Sequence, residues 1–124
     1  MKSEYLREID CEMPLIDDDD NRKEIFEKEL KKYGLASYDT WNFDITFAQF
    51  LYIGFKMYND CNCVNTHYHK INIGDEIWDM QKCIDYIIEE SKNYLINAKK
   101  DIGTCNFSEK FFEVLQKVMF FMWW

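Results

Sequence analysis

The segment from Thr40 to Tyr58 constrains the fold most, because it has the pattern of a long helix that is apolar on nearly every side. Between Trp41 and Tyr58, only Asp44 and Lys56 carry charge. A helix that is apolar all round is normally buried among other helices. The chain has only one proline and four glycines in 124 residues. Because these residue types form most tight turns, a many-stranded sandwich or barrel is disfavoured. The sequence therefore predicts an all-α fold, a small bundle of three to four helices around this central apolar helix.

Spacing and terminal signals predict the other helices. The first covers residues 22–33 and ends at Gly34, which adopts a positive φ without steric cost. The third starts near 75 or 76 and reaches about 100, with apolar residues four or seven positions apart. The fourth begins near Ser108, a favourable N-cap, and runs toward the C-terminus.

The length fits a single domain over residues 1–124. Residues 1–21 are expected to form a polar lead-in, and residues 59–75 a polar connecting loop. Within that loop, Ile71-Asn72-Ile73 is predicted to be a short extended piece that Gly74-Asp75 ends.

Charge narrows the class of partner. With 15 basic and 23 acidic residues the net charge is −8, which disfavours direct binding to a nucleic-acid backbone. An acidic surface can instead mimic a phosphate lattice and occupy the basic groove of a nucleic-acid-binding protein. The alternative is a solvated surface that only keeps the protein soluble. The acidic candidates are Asp17, Asp18, Asp19, Asp20, Asp75, Glu76, Asp79, Asp85, Glu89 and Glu90.

The aromatic end of the chain is a second candidate contact. Trp123 and Trp124 follow the last predicted helix, where they either cap the bundle or form a hot spot in a partner or homodimer contact. Self-association through this C-terminal helix is therefore an alternative function.

A metal site is the third candidate. Cys61, Cys63, His67 and His69 supply the ligand types of a tetrahedral Cys₂His₂ zinc site. One residue separates each pair, whereas structural zinc sites usually place two to four between cysteines and three to five between histidines. The alternative is a polar loop without metal, so no cofactor is expected and zinc remains the alternative.

Catalysis has little support in the sequence. There is no phosphate-binding glycine loop, G-x-S-x-G or H-E-x-x-H motif. Asp44 would have a raised pKa if it were buried, but its place near a helix start favours a structural role. We therefore expect a protein that is not an enzyme.

The cysteines and the apolar runs indicate the compartment. Five cysteines are an odd number, unlike a secreted disulfide framework. The chain does not open with a signal-peptide pattern, and its longest apolar run, 118–124, is too short to cross a bilayer. We expect reduced thiols, a cytoplasmic protein and no membrane association.

The stretch Trp41-Asn-Phe-Asp44-Ile-Thr46-Phe-Ala48-Gln-Phe50 resembles a family of small helical proteins from tailed bacteriophages and prophages, whose function is unassigned. The family pattern is Trp-x-Leu-Asp-x-Thr-x-Ala-x-Phe, followed by Pro-Arg-Leu-Lys, a later Glu-Trp that leads a helix, and an aromatic C-terminal helix. Here Glu76-Ile77-Trp78 and residues 120–124 are similar to the later features, so the resemblance covers 37–58, 75–90 and 108–124. The chain departs from the pattern at Phe43 and at Ile53-Gly54-Phe55-Lys56.

The resemblance implies a phage accessory protein in the bacterial host cytoplasm and brings no catalytic residues. Together with charge and size, it predicts a non-enzymatic protein that binds a host or phage protein. Such a protein would inhibit a nucleic-acid-handling or defence system, as anti-CRISPR proteins do, through the acidic surface. The alternatives are the zinc domain and the self-associating structural protein.

Overall fold

The computed structural model describes residues 1–61, 69–101 and 105–122. These residues form six helices and one antiparallel hairpin, so the fold is mostly helical but not all-α as predicted. The prediction of three to four helices around one central helix is too simple. In chain order the elements are α1 (Glu4–Glu8), α2 (Lys23–Tyr33), α3 (Ser37–Trp41), α4 (Phe43–Asp60), β1 (Lys70–Ile73), β2 (Glu76–Asp79), α5 (Met80–Lys100) and α6 (Glu109–Met119).

Two helix ends follow the signals in the sequence. Helix α2 stops at Gly34, which has φ 77°, and the Gly34 N–H donates to the Leu30 carbonyl. Helix α6 begins after Ser108, whose hydroxyl oxygen accepts the Phe111 N–H at 3.1 Å. Local capping chemistry was sufficient to predict both ends.

The long apolar helix is interrupted, which corrects the prediction of one helix from Thr40 or Trp41 to Tyr58. Asn42 has non-helical angles of φ −131° and ψ 76°, and it separates α3 from α4. The Asp39 carboxylate accepts the Ala36 N–H at 3.0 Å, and the Thr46 hydroxyl donates to the Asp39 carbonyl. The first bond caps the start of α3, and the second satisfies a carbonyl that the bend at Asn42 removes from the helical ladder.

The hairpin corrects the start of the third predicted helix. Strand β1 contains the predicted extended piece, but Glu76–Asp79 is strand β2 rather than the first turn of a helix. Gly74 (φ 56°) and Asp75 form the two-residue loop, which places Ile71 opposite Trp78. Helix α5 begins only after Asp79, whose carboxylate accepts the Lys82 N–H at 2.7 Å.

The interior consists of two groups of buried side chains, and α4 and α5 contribute to both. The hairpin core contains Leu51, Phe55, Ile71, Ile73, Trp78, Met80, Cys83, Ile84, Ile87, Phe111, Val114, Leu115 and Val118. The lead-in core contains Leu6, Cys11, Ile45, Ala48, Tyr52, Tyr94, Leu95 and Ala98.

One aromatic side chain joins the two cores. The Phe107 ring packs against both, with its centroid 4.1 Å from that of Tyr94 and 4.4 Å from that of Phe111, in stacked geometry. Such aromatic pairs contribute about 1 kcal/mol beyond the area they bury. Phe107 therefore holds α5 and α6 at a fixed separation.

The lead-in of residues 1–21 is more structured than a polar segment would be. It contains α1, and both Leu6 and Cys11 are fully buried in the lead-in core. Gln49 of α4 is also fully buried, and its amide nitrogen donates to the carbonyls of Cys11 (3.1 Å) and Met13 (2.8 Å). This side chain fixes the lead-in against α4, since a buried amide needs its hydrogen-bond partners.

The hairpin is attached to α6 by the Glu113 carboxylate and by Lys117, whose ammonium donates to the Asn72 carbonyl at 2.5 Å. Glu113 accepts the Gly74 N–H at 3.0 Å and contacts the Lys117 ammonium at 2.9 Å. The Gly74 bond first, and Lys117 second, lower the pKa of Glu113 below its ordinary value. The ionised form is therefore favoured in the folded protein.

We expect a pH-dependent stability contribution from Glu113. Because its pKa is lowered on folding, this contribution is present above the unfolded value of about 4.3 and disappears as the pH falls through the folded value. The melting temperature of Glu113→Gln should lie below that of the unchanged protein at pH 7, and the difference should shrink as the pH falls below the unfolded value and through the lowered folded-state pKa.

The control for this measurement is Glu109→Gln, which removes the same charge one turn earlier on α6. Glu109 is exposed and has no hydrogen bond or ion pair among the described residues. Melting curves followed by circular dichroism would contradict the assignment if the two variants showed the same pH dependence.

Candidate interaction surface

A row of apolar positions on α4 is largely exposed, although Phe47 in this row packs against the hairpin core, and this exposure corrects the prediction that the helix is buried all round. The row, here called the aromatic stripe, consists of Phe43, Phe47, Phe50, Gly54 and Met57. The exposed fractions are 59% for Phe43, 63% for Phe50 and 58% for Met57. Spacings of four, three, four and three residues place these positions on one face of the helix.

The aromatic stripe borders a shallow cleft at its N-terminal end. Phe43, Phe47 and Phe50 line one wall, and Met1 and Leu35 contribute to the rest, around a volume of about 140 Å³. Almost all of this lining is apolar. Exposed apolar patches of this kind mark interaction sites more often than isolated exposed side chains do.

The aromatic stripe continues toward α6 through Phe107. The Phe47 ring lies 5.8 Å from that of Phe107, and Phe107 lies 5.8 Å from Phe112, in edge-to-face geometry. Phe112 is 49% exposed. The apolar surface therefore spans two helices that are about 60 residues apart in the chain.

A second surface is acidic and is formed by three helices. Glu8 of α1, Asp60 of α4 and Glu89 of α5 are exposed. Burial is the largest cause that raises the pKa of the Tyr52 hydroxyl, and the charges of these three carboxylates raise it further. The Tyr5 hydroxyl donates to Asp60 at 2.6 Å, and this bond is the first cause that raises the pKa of Tyr5 to about 12. We call Glu8, Asp60 and Glu89 the acidic face. Of the three, only Glu89 was predicted.

The predicted acidic run is partly neutralised by its own neighbours. Arg22 forms an ion pair with Asp20 at 2.9 Å, and Lys23 lies 3.7 Å from Asp18. Asp17 and Asp19 are exposed and have no ion pair in the described part of the chain. The run thus presents less net charge than its four aspartates imply.

Several other predicted acids have structural contacts. Glu76 accepts the Trp78 indole N–H at 2.8 Å, Asp79 caps α5, and Asp85 accepts the Gln81 amide at 2.7 Å. Glu90 is only half exposed. The contacts of Glu76, Asp79 and Asp85 stabilise the hairpin and α5, which accounts for the position of these three acids without a partner.

Asp44 lies in the first turn of α4, as predicted. It is exposed, and its carboxylate accepts the Tyr94 hydroxyl. Burial and this bond raise the pKa of Tyr94. The contact joins α4 to α5, so the expectation of a structural role for Asp44 agrees with its geometry.

The structure reaches only part of the predicted metal loop and of the aromatic tail. Cys61 follows α4 and His69 precedes β1, whereas Cys63, His67, Trp123 and Trp124 lie outside the described residues. The His69 ring centroid is 4.5 Å from that of Phe121. Within residues 1–61, 69–101 and 105–122, no three histidine, cysteine or acidic side chains are grouped as a metal site requires. The zinc site and the tryptophan hot spot stay predictions.

Two cysteines belong to the interior. Cys11 and Cys83 are fully buried, one in each core, and neither is in a disulfide. Burial raises the pKa of both thiols, that of Cys83 to about 11. No helix in the described ranges has the length and apolarity needed to cross a membrane.

The comparisons with known proteins give no family for the chain. No protein-family model, no curated protein and no solved structure matches it. The two surfaces are therefore interpreted from their own chemistry.

Proposed function

We propose that this chain is a non-enzymatic binding protein whose acidic face contacts a basic surface on a protein partner. The observation that carries the proposal is that Glu8, Asp60 and Glu89, from three helices, all act by charge on the one hydroxyl of Tyr52. Among the described residues, none of the three forms an ion pair with a lysine or arginine. Exposed carboxylates that have no ion pair of their own provide a field that steers and orients a cationic partner.

The partner is proposed to be a protein that handles nucleic acid. Its groove would carry the lysine and arginine side chains that neutralise phosphates, and fixed carboxylates on a helical scaffold would compete for the same side chains. The resemblance to phage proteins supports a partner in the bacterial host, in a replication or defence system. Binding there would inhibit by occupying the groove, and no catalytic residue is needed.

Charge-neutral substitutions test the proposal. The variant Glu8→Gln with Asp60→Asn and Glu89→Gln removes three charges, and the amide oxygen that Asp60→Asn introduces can still accept the Tyr5 hydroxyl. The matched control Asp17→Asn with Asp19→Asn and Glu27→Gln removes three exposed charges elsewhere. We expect the unchanged protein to capture a basic partner from a bacterial lysate, and the face variant to bind it at least about tenfold more weakly.

Two further measurements define the contact. Added salt should weaken the complex, because screening shortens the range of charge attraction. Excess duplex DNA should compete with the chain for the partner if the two share one groove. Equal binding by the face variant and the control, or binding that neither salt nor DNA reduces, would exclude the acidic face.

A further inference from the structure

Gly54 has no role in the packing of the isolated chain. It lies inside α4 without a positive φ, and a Cβ built on it meets nothing within 4 Å. A glycine at such a helix position is less stable than an alanine. It also interrupts the aromatic stripe between two exposed side chains, Phe50 and Met57. The stripe therefore has a shape of its own, with three large side chains followed by a gap.

This shape complements itself. We infer that a second copy of the chain docks on the aromatic stripe with its α4 antiparallel. The spacings of four and three residues alternate, as those of the a and d positions of a coiled coil do. In an antiparallel pair, each a position of one helix faces a d position of the other. In one register Phe47 faces Phe50 of the second copy, and Phe43 enters the space above Gly54 of the second copy. Two-fold symmetry repeats both contacts.

Charge restricts where a second copy can dock. Each copy carries a net charge of −8, so two copies repel one another through their acidic surfaces. Residues 34–70 contain only two basic residues, Lys56 and Lys70, and three acidic residues, and the stripe itself contains none. The stripe is thus the surface on which two copies meet with the least repulsion, and it offers a charged partner nothing to pair with.

The size of the stripe sets the strength of the dimer. Phe43, Phe50 and Met57 each expose about 60% of their surface, roughly 100 Å² per side chain. Two copies therefore bury at most roughly 600 Å² of apolar side chain, because Met57 lies opposite position 40, outside α4, in this register. This area is below the roughly 1,200 Å² at which standard specific interfaces begin, and we expect a weak, reversible dimer with a dissociation constant of the order of 100 μM.

Sedimentation equilibrium over a concentration series, from about 1 μM to about 1 mM, measures this association. Phe43→Ala leaves a void above Gly54, and Gly54→Phe fills the gap against Phe43, so each variant alone should dimerise at least about tenfold more weakly. A mixture of the two should recover association, because the ring added at position 54 of one copy then occupies the space vacated at position 43 of the other. The double variant should recover it without mixing. Parallel pairing predicts no recovery.

A milder variant separates dimerisation from folding. Gly54→Ala should raise the melting temperature of the dilute monomer by about 3 °C, since alanine favours the helix, and at the same time weaken the dimer. A chain that stays monomeric up to the highest concentration would overturn the inference. So would a dimer that Phe43→Ala leaves unchanged, because association would then use another surface. Either result leaves the acidic face and its capture experiment unaffected.

Discussion

Replacing Phe111 with alanine is expected to lower the free energy of unfolding by about 4 kcal/mol. The Phe111 side chain is fully buried, stacks on Phe107 and belongs to the hairpin core. Its removal leaves a cavity and also takes away one side of the stack that joins the two cores. Urea denaturation followed by circular dichroism measures the change, with the midpoint shifting at a similar slope.

The next residue in the chain provides the control. Phe112 makes edge-to-face contacts with Phe107 and Phe111, but it is 49% exposed. We expect Phe112→Ala to cost no more than about 1 kcal/mol. Equal losses in the two variants would mean that the α6 face is not oriented as described.

The second large effect is expected at Asp39, whose replacement with alanine should cost about 3 kcal/mol. The carboxylate is 2% exposed, and it lies 3.3 Å from the Met1 amino group. It also accepts the Ala36 N–H that begins α3. Asp39→Ala leaves the Ala36 N–H without its acceptor, which is costly for a buried group, whereas the Met1 ammonium loses its charge partner but keeps the Met13 carbonyl at 3.0 Å.

Two variants separate charge from hydrogen bonding at this site. Asp39→Asn keeps an acceptor for Ala36 and loses only the charge, so its stability should fall between those of the unchanged protein and Asp39→Ala. Asp44→Ala removes an exposed aspartate from the next helix and should cost no more than about 1 kcal/mol. Thermal and urea unfolding of the three variants would contradict the assignment if Asp39→Ala were as stable as Asp44→Ala.

The elements that sequence reasoning predicted correctly have strong local signals. Gly34 ends α2 and Ser108 begins α6, because their chemistry acts within a few residues of the helix end. Strand β2 was missed although Gly74-Asp75 is a two-residue hairpin loop. The spacing between Ile77 and later apolar residues also fits a helix. Only the pairing of Trp78 with Ile71 decides between a helix and a strand for this segment.

The surfaces depend on contacts that no local pattern contains. Glu8, Asp60 and Glu89 meet only after three helices pack, so the acidic face could not be predicted from charge along the chain. Hydrophobicity predicted that α4 is buried, but the helix has neighbours only on part of its circumference. The spacing of the aromatic stripe was present in the sequence, whereas its exposure depends on which side of α4 the other helices cover.

The two buried cysteines give each half of the interior its own chemical reporter. A thiol reagent reaches Cys11 only when the lead-in core opens, and Cys83 only when the hairpin core opens. Between such openings both thiols are protected, because the raised pKa leaves little thiolate to react. Phe107 is packed into both cores. Equal labelling rates of the two cysteines would therefore indicate that the halves open as one cooperative unit, and different rates that they open one at a time.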